Sequence, residues 1–417
     1  MPTRRHAALS FVFVTLLLDM LAFGIIIPVL PKLITNFLHG DIGQSSKYLG
    51  LFVTVWALMQ FFFAPVLGVL SDRFGRRPII LLSNFGLGID YIILALAPTI
   101  GWLFMGRLLS GITSSSGPTA NAYISDITTP ETRSRAYGIF GAAFGLGFVL
   151  GPAMGGWLGH IDLRLPFWTA AGFSLANAVY GFFILPESLP PERRPAKMPW
   201  NKANPVGALK LLQSHRELFG LAGVSLLNYL GHEVYVTVFV LYATYRYAWN
   251  EADVGYSLAV VGITTMIVSA GLVGWLVKRF GERATLFAGL ILGGLGFALF
   301  GLSPTGLLFL AAIPVNALWG LASPPLQTLM TRRVSASEQG ELQGAAASLR
   351  GIAMIVGPGV FAAVFAYFIV PGRLIPGAPW FLSAIFLAAA LALAWVVVPR
   401  EDRSQLKESA VAVTTVA

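Results

Sequence analysis

The chain has 417 residues, of which 56% are hydrophobic and only 11% charged, with a mean hydropathy of +0.74. Soluble domains carry about 25% charged residues, so this composition excludes a soluble fold and indicates a protein whose solvent is the lipid bilayer. The chain has no cysteine, which excludes disulfide frameworks and thiolate metal sites. No nucleophile–base arrangement or metal-ligand spacing points to an enzyme, a cofactor or a metal site.

Twelve apolar runs are long enough to cross the membrane as helices, which takes about 20 residues each. The first run starts like a signal peptide, but Asp19 interrupts it and no small-residue cleavage site follows, so we expect it to be retained. Turn signals at 97–101 and 303–306 each divide a longer run in two. The predicted fold is an all-α membrane protein with spans at 8–36, 48–70, 79–98, 101–124, 137–159, 166–186, 218–246, 254–277, 284–303, 306–330, 343–370 and 378–399.

Lysine and arginine set the orientation of the spans, because cytoplasmic loops carry an excess of them. With the N-terminus inside, 21 of these residues fall in inside segments and five in outside segments. We therefore expect both termini to be cytoplasmic and the protein to lie in the cytoplasmic (inner) membrane. The net charge of +9 then belongs to cytoplasmic loops, and no nucleic-acid partner is expected.

The chain partly matches itself at an offset of 206 residues. "GVLSDRFGRR" at 68–77 aligns with "GWLVKRFGER" at 274–283, and several glycines and prolines further along align at the same offset. Such a match indicates two parallel six-span repeats, the arrangement of the major facilitator transporters. The predicted division is a six-helix bundle at 1–187, a cytoplasmic linker at 188–216, a second bundle at 217–400 and a flexible cytoplasmic tail at 401–417.

The cytoplasmic turn between spans two and three, "GVLSDRFGRRPIILLS", concentrates charge between two uncharged runs. Its plain interpretation is a topology anchor. The pattern also resembles the loop signature of the major facilitator superfamily, and this resemblance implies a latch that closes the cytoplasmic side. A carboxylate there can accept charge-assisted hydrogen bonds from arginine and from a helix N-terminus. The predicted latch residues are Gly68, Asp72, Arg73, Gly75, Arg76, Arg77 and, at the end of span four, Asp126.

Span five is rich in glycine, which permits close helix packing. Its pattern G-x-x-x-G-P-x-x-G-G also resembles the signature of the antiporter branch of the superfamily, and this resemblance favours export. Close packing without an export role is the alternative. The residues of this predicted antiporter helix motif are Gly147, Gly151, Pro152, Gly155 and Gly156.

Placing an ionisable residue inside a membrane span costs free energy, so such a residue is a candidate for a functional role. Asp19, Asp90 and Glu233 lie roughly midway along spans one, three and seven, and Arg107 lies in span four, where R-x-x-x-G resembles the signature tied to proton coupling in drug:proton antiporters. These four residues are the predicted proton-coupling set. The alternative is a satisfied structural pair, such as Asp19 with Arg107. Arg350 in span eleven either snorkels to the cytoplasm or pairs with a carboxylate.

Polar and aromatic positions on spans one, four, seven and ten are candidates for a substrate cavity of mixed polarity. Each position alone is a weak indication, and a lone histidine is more often a simple hydrogen-bonding residue. The predicted cavity residues are Phe23, Thr113, Asn121, His232, Asn316 and Gln327.

Strings such as "LDMLAFGIIIPVLPKL", "GRLLSGIT" and "EQGELQGAAASL" make nearly all of 8–400 similar to tetracycline efflux antiporters. The resemblance implies exchange of a cytoplasmic magnesium–tetracycline chelate for a proton, with no cofactor beyond the proton gradient. We also expect a monomer in the bilayer. The resemblance also implies a membrane carboxylate in span nine, where this chain has Gly293, and Glu233 is a candidate substitute. The alternatives are a multidrug exporter of other substrates, or a symporter or uniporter for a small metabolite.

Overall fold

The computed structural model describes residues 2–114, 116–195, 198, 204, 207, 209–214, 216–335 and 338–398. The described residues contain no β-strand. The predicted tail at 401–417 and parts of the predicted linker lie outside them. The helices are α1 (Pro2–Ile26), α2 (Leu30–Phe37), α3 (Ile42–Phe74), α4 (Arg76–Leu96), α5 (Ile100–Thr113), α6 (Ser116–Ile127), α7 (Pro130–Ile161), α8 (Leu165–Ile184), α9 (Leu209–Ser214), α10 (Arg216–Thr237), α11 (Phe239–Tyr247), α12 (Glu251–Ile267), α13 (Val273–Leu302), α14 (Gly306–Ala317), α15 (Ser323–Thr331), α16 (Gln339–Phe368) and α17 (Ala378–Val397).

Nine helical stretches in the described part of the chain are long and apolar enough to cross a membrane, or ten if the bent pair α10 and α11 is one span. The all-helical membrane fold is therefore confirmed. One of the nine stretches, Glu251–Leu302, has 52 residues and contains a π-helix at Val268–Leu272 and non-helical backbone at Gly281. The predicted division of this stretch into two spans falls close to Gly281.

Several predicted spans are broken within the described part of the chain, two of them next to proline. Span one ends its first helix at Ile26 and restarts at Leu30, around Pro28, which lacks an N–H and restricts the residue before it. Span seven bends by 51° between α10 and α11. Span ten contains a 3₁₀ turn at Leu318–Leu321 just before the Pro324-Pro325 pair. These breaks lie on spans that carry predicted cavity residues.

The repeat seen in the sequence is also visible in the backbone. Gly75 separates α3 from α4 with φ 109° and ψ 159°, and Gly281, 206 residues later, has φ 82° and ψ 169°. Residues other than glycine rarely adopt this backbone conformation. Both repeats therefore turn at the same point with the same backbone geometry.

The chain forms two compact units. The first comprises Met1–Pro205, Tyr235–Gly262 and Met354–Pro376. The second comprises Val206–Val234, Ile263–Ala353 and Gly377–Ala417. Some boundaries between the units fall inside the predicted spans seven, eight and eleven. These units are therefore not the two six-span repeats, and the division of the repeats by a linker at 188–216 stays a prediction.

Candidate functional site

A buried ion pair joins α4 to α5 in the first unit. Arg107 donates a short hydrogen bond through Nη2 to Oδ2 of Asp90, and their side chains are 7% and 0% exposed. Gly106 makes room for this carboxylate, because an added Cβ would lie 2.6 Å from Asp90 Oδ1. A buried charge is tolerated when it is paired. The structure thus pairs Arg107 with Asp90, where the sequence had suggested Asp19 as a structural partner.

Asp19 lies in α1 and is 3% exposed. Its Oδ1 accepts a hydrogen bond of 2.9 Å from Nδ2 of Asn177 in α8, and the same amide nitrogen donates to the carbonyl oxygen of Thr15. Asn177 therefore positions the Asp19 carboxyl group. Sequence reasoning missed it, because nothing in span six marks one asparagine as facing a carboxylate 158 residues away.

The predicted latch residues gather around Arg76 at the start of α4. Its Nη1 lies 2.5 Å from Asp72 Oδ1, and its Nε lies 3.2 Å from Asp126 Oδ2. Arg73 donates to the carbonyl oxygen of Pro195, and Arg77 donates to that of Phe182. Gly68, Asp72 and Arg76 also line a cavity of about 280 Å³ between α3 and α6. All of these contacts lie within the first unit.

Glu187, just after α8, is a member of this cluster that the sequence analysis missed. Its carboxylate accepts hydrogen bonds from the backbone N–H groups of Arg76 at 2.9 Å and Arg77 at 3.3 Å. It therefore caps the positive end of α4, where an anion is favoured. Gly75 is required here, because an added Cβ would lie 2.2 Å from Glu187 Oε2. An acidic residue after span six was the available signal, but its separation from α4 hid the contact.

The second unit repeats this ion pair with the charges exchanged. Position 76 corresponds to Glu282 and position 126 to Arg332 at the offset of 206, and Arg332 Nη2 lies 2.5 Å from Glu282 Oε1. Lys278 stands at the position that corresponds to Asp72. The turn before span nine is therefore tied to span ten by a pair of opposite polarity.

The span-five glycines lie where backbones touch. Added Cβ atoms would meet α1 at 2.3 Å for Gly147, 2.7 Å for Gly151 and 1.9 Å for Gly155. Gly156 faces the other way, towards α12, where its Cβ would meet the carbonyl oxygen of Glu251 at 2.3 Å. Pro152 lies inside α7 and packs against Gly24 of α1. The motif thus packs α7 against two helices of the first unit.

The predicted cavity residues divide between the units. In the first unit, the ring of Phe23 lies 6.2 Å from that of Trp56, Thr113 packs against Gly86, and Asn121 is half-buried. In the second unit, the ring of His232 lies 5.7 Å from that of Trp319. There, Asn316 donates to the carbonyl oxygen of Gly293 at 3.4 Å, and Gln327 is half-buried.

Glu233 lies beside this second group and is 5% exposed. The guanidinium group of Arg350 is close enough to act electrostatically on both Glu233 and His232. Gly293 has no room for a side chain, since an added Cβ would lie 2.7 Å from Trp319 Cβ. The second unit therefore has a buried carboxylate at Glu233. It has none at position 293, where the indole of Trp319 packs against the glycine backbone.

Comparison with known proteins places this chain among membrane transporters, in sequence and in fold. The sequence profile of the Major Facilitator Superfamily matches residues 12–358 and 221–415. The chain is 38% identical to the class C tetracycline resistance protein of Escherichia coli, over 87% of this chain and 91% of that protein. It is 29% identical to multidrug resistance protein 2 of Bacillus subtilis (strain 168), over 86% and 87%. The crystal structure of the human organic anion transporter MFSD10 (TETRAN) shares the fold, with a TM-score of 0.69 at 23% identity, covering 94% of this chain and 99% of that chain.

Proposed function

Because this chain belongs to the Major Facilitator Superfamily, where it groups with the tetracycline resistance proteins, we propose that it is a proton-coupled drug exporter. The leading substrate is tetracycline, carried out of the cytoplasm as its magnesium chelate in exchange for an incoming proton. The class C relative, which this chain matches over most of its length, supports this substrate. The protein acts as a monomer in the cytoplasmic membrane.

The observation that carries the proposal is the set of carboxyl groups buried deep in the spans. Asp90 lies against Arg107, Asp19 accepts from Asn177, and Glu233 lies in the second unit within reach of the Arg350 charge. Ionisable residues at this depth mark ion and proton pathways. We assign proton uptake and release to Asp19, Asp90 and Glu233, and stabilisation of the ionised Asp90 to Arg107.

The transport cycle follows from alternating access. A proton enters from outside and binds a carboxylate, the substrate leaves outwards, and the protonated protein returns to face the cytoplasm. There the proton is released and a new substrate binds. One proton moving down 100 mV releases about 2.3 kcal/mol. With about 1.4 kcal/mol for one pH unit, a single proton supports a gradient of several hundred-fold for a substrate without net charge. A substrate that leaves as a cation offsets the electrical part, so only the pH difference then drives its export.

We propose twelve spans with both termini in the cytoplasm. The ten spans counted with α10 and α11 joined become eleven when Glu251–Leu302 is divided at Gly281. Helices α5 and α6 together provide the twelfth. In this topology the contacts of Asp72, Arg76 and Asp126 lie on the cytoplasmic side, where they hold this turn in place as the first unit's part of the latch.

A multidrug exporter is the second candidate function. Two observations favour it: the similarity to a multidrug resistance protein, and glycine at position 293, where the resemblance to the tetracycline exporters implies a carboxylate. A symporter or uniporter for a small metabolite is disfavoured by the antiporter helix motif at Gly151 and Gly155.

Inside-out vesicles from cells that make the protein test the proposal. With an acidified lumen, addition of tetracycline and magnesium is expected to give drug accumulation together with proton release, and Asp19→Asn is expected to lose both. Accumulation that ignores the pH gradient would remove the proton coupling. Proton release with a panel of amphipathic drugs, but not with tetracycline, would favour the multidrug exporter.

A further inference from the structure

An indole in the second unit is held in a fixed orientation by groups on two helices. Trp319 Nε1 donates a hydrogen bond of 2.7 Å to Oδ1 of Asn228 in α10. The ring of Phe297 in α13 meets the indole edge-on at 5.3 Å between centroids. The backbone of Gly293 in α13 packs directly against its Cβ and ring. Such an arrangement fixes the indole plane without using any charge.

The anchor of this indole is itself fixed. Asn228 is 3% exposed, and its Nδ2 lies 3.4 Å from Oγ of Ser323 at the start of α15. A buried amide whose oxygen is used by the indole N–H leaves the ring little freedom to turn. Asn228 therefore acts as a positioning residue for Trp319.

The indole lies next to an exposed histidine ring. The His232 ring lies 5.7 Å from it at 34°, and His232 is exposed although it lies midway along the predicted span seven. Ionisable side chains at this depth face a protein interior or a water-filled cavity, not lipid. A substrate that contacts both rings therefore does so on the exposed side of this pair.

We propose that His232 and Trp319 form a stacking wall that selects planar aromatic substrates, with Asn228 holding the indole in place. Aromatic rings prefer offset or tilted stacking on such a surface, and conjugated ring systems of the tetracycline type fit it. This inference rests on the proposed export function and adds the substrate class that the second unit recognises. Glu233, which directly follows His232 in the sequence, keeps its proposed role in proton coupling.

Transport kinetics in proteoliposomes under a fixed pH gradient test the wall. Trp319→Leu is expected to raise the KM for tetracycline about threefold to tenfold, as expected for loss of one aromatic stack, with little change in Vmax. Trp395→Leu is the matched control, because it removes another indole of this unit that is 61% exposed and stacked on Phe287. Equal KM values for the two variants would overturn the proposal.

Two further variants guard against misfolding and separate positioning from stacking. Gly293→Ala keeps the indole but pushes it out of place, so it is expected to raise KM as well. Asn228→Leu is expected to raise KM in wild-type background and to add nothing in the Trp319→Leu background, since it acts through the indole. Additive effects would overturn the positioning role. A wild-type protein that does not transport tetracycline would instead defeat the proposed function, before any variant is compared.

Discussion

Replacing Gly155 with alanine is expected to force α7 and α1 apart. An ideal Cβ at this position would lie 1.9 Å from the carbonyl oxygen of Ile25, and 2.7–2.8 Å from two further backbone atoms of the same residue. These are backbone atoms, so no side-chain rotation relieves the clash. The helices must separate by roughly 1 Å along a packed interface that tolerates overpacking poorly.

The size of the effect follows from a comparison within the same helix. Overpacking costs about 1–3 kcal/mol, whereas alanine in place of glycine inside a helix gains about 0.5–1 kcal/mol. An added Cβ at Gly141 has no neighbouring heavy atom within 4 Å, so Gly141→Ala takes only the gain. Both variants have the gain of alanine inside a helix, so their free energies of unfolding are expected to differ by the overpacking cost, about 1–3 kcal/mol.

Thermal unfolding of the detergent-purified variants, followed by tryptophan fluorescence, checks this difference. Gly155→Ala is expected to unfold below the wild type and to transport poorly, and Gly141→Ala to unfold at or above the wild-type midpoint with transport retained. A Gly155→Ala protein as stable as Gly141→Ala would refute the close approach of α7 to α1.

Three further predictions concern ionic and capping contacts. Asp90→Asn leaves Arg107 buried without its carboxylate, at a cost of about 3–5 kcal/mol, so the double variant Asp90→Asn/Arg107→Met is expected to unfold at a higher temperature than the single one. Arg332→Glu places two carboxylates together and is expected to reduce transport and stability. Adding Glu282→Arg is expected to recover both, with a coupling free energy of about 0.5–3 kcal/mol. A double variant no better than the single one would contradict the pair. The Gln44 N–H held by Asp41 at the start of α3 lowers the pKa of that carboxyl group. Its stabilisation is present above the usual Asp pKa near 4 and is lost as pH falls further, so Asp41→Ala is expected to cost about 1 kcal/mol at pH 7 and Asp41→Asn much less in the same unfolding assay.

The membrane fold was predictable from the sequence for two reasons. The hydropathy of the spans follows directly from their composition, and the internal repeat is marked by glycines at matching positions. Gly75 and Gly281 stand out in the sequence for the same reason that they matter in the structure, namely a backbone conformation that other residues rarely adopt. Breaks inside spans were harder to foresee. The bend at Val238 has no proline or glycine at its centre, and it depends on packing that the sequence does not display.

The missed site residues share one property: each acts on a partner more than 90 residues away. Asn177 bonds Asp19, Glu187 caps α4, and Asn228 anchors Trp319. Asparagine and glutamate in or beside an apolar span can face a partner, a cavity or the lipid boundary, and only the helix rotation decides which. The identity of these residues was visible in the sequence, but their direction was not.

The exchanged charges of the two repeats show what the ion pairs require. Arg76 with Asp126 and Glu282 with Arg332 join the same two elements of each repeat, at matching positions, with every sign reversed. The turns at 68–77 and 274–283 each have three basic residues and one acidic residue, so the positive charge that a topology anchor needs is kept in both. A contact between the turn and the neighbouring span needs only complementary charges, and both repeats have them. The exchange of signs within a pair that is kept in both repeats therefore indicates a structural connection at this turn in addition to positive-charge anchoring.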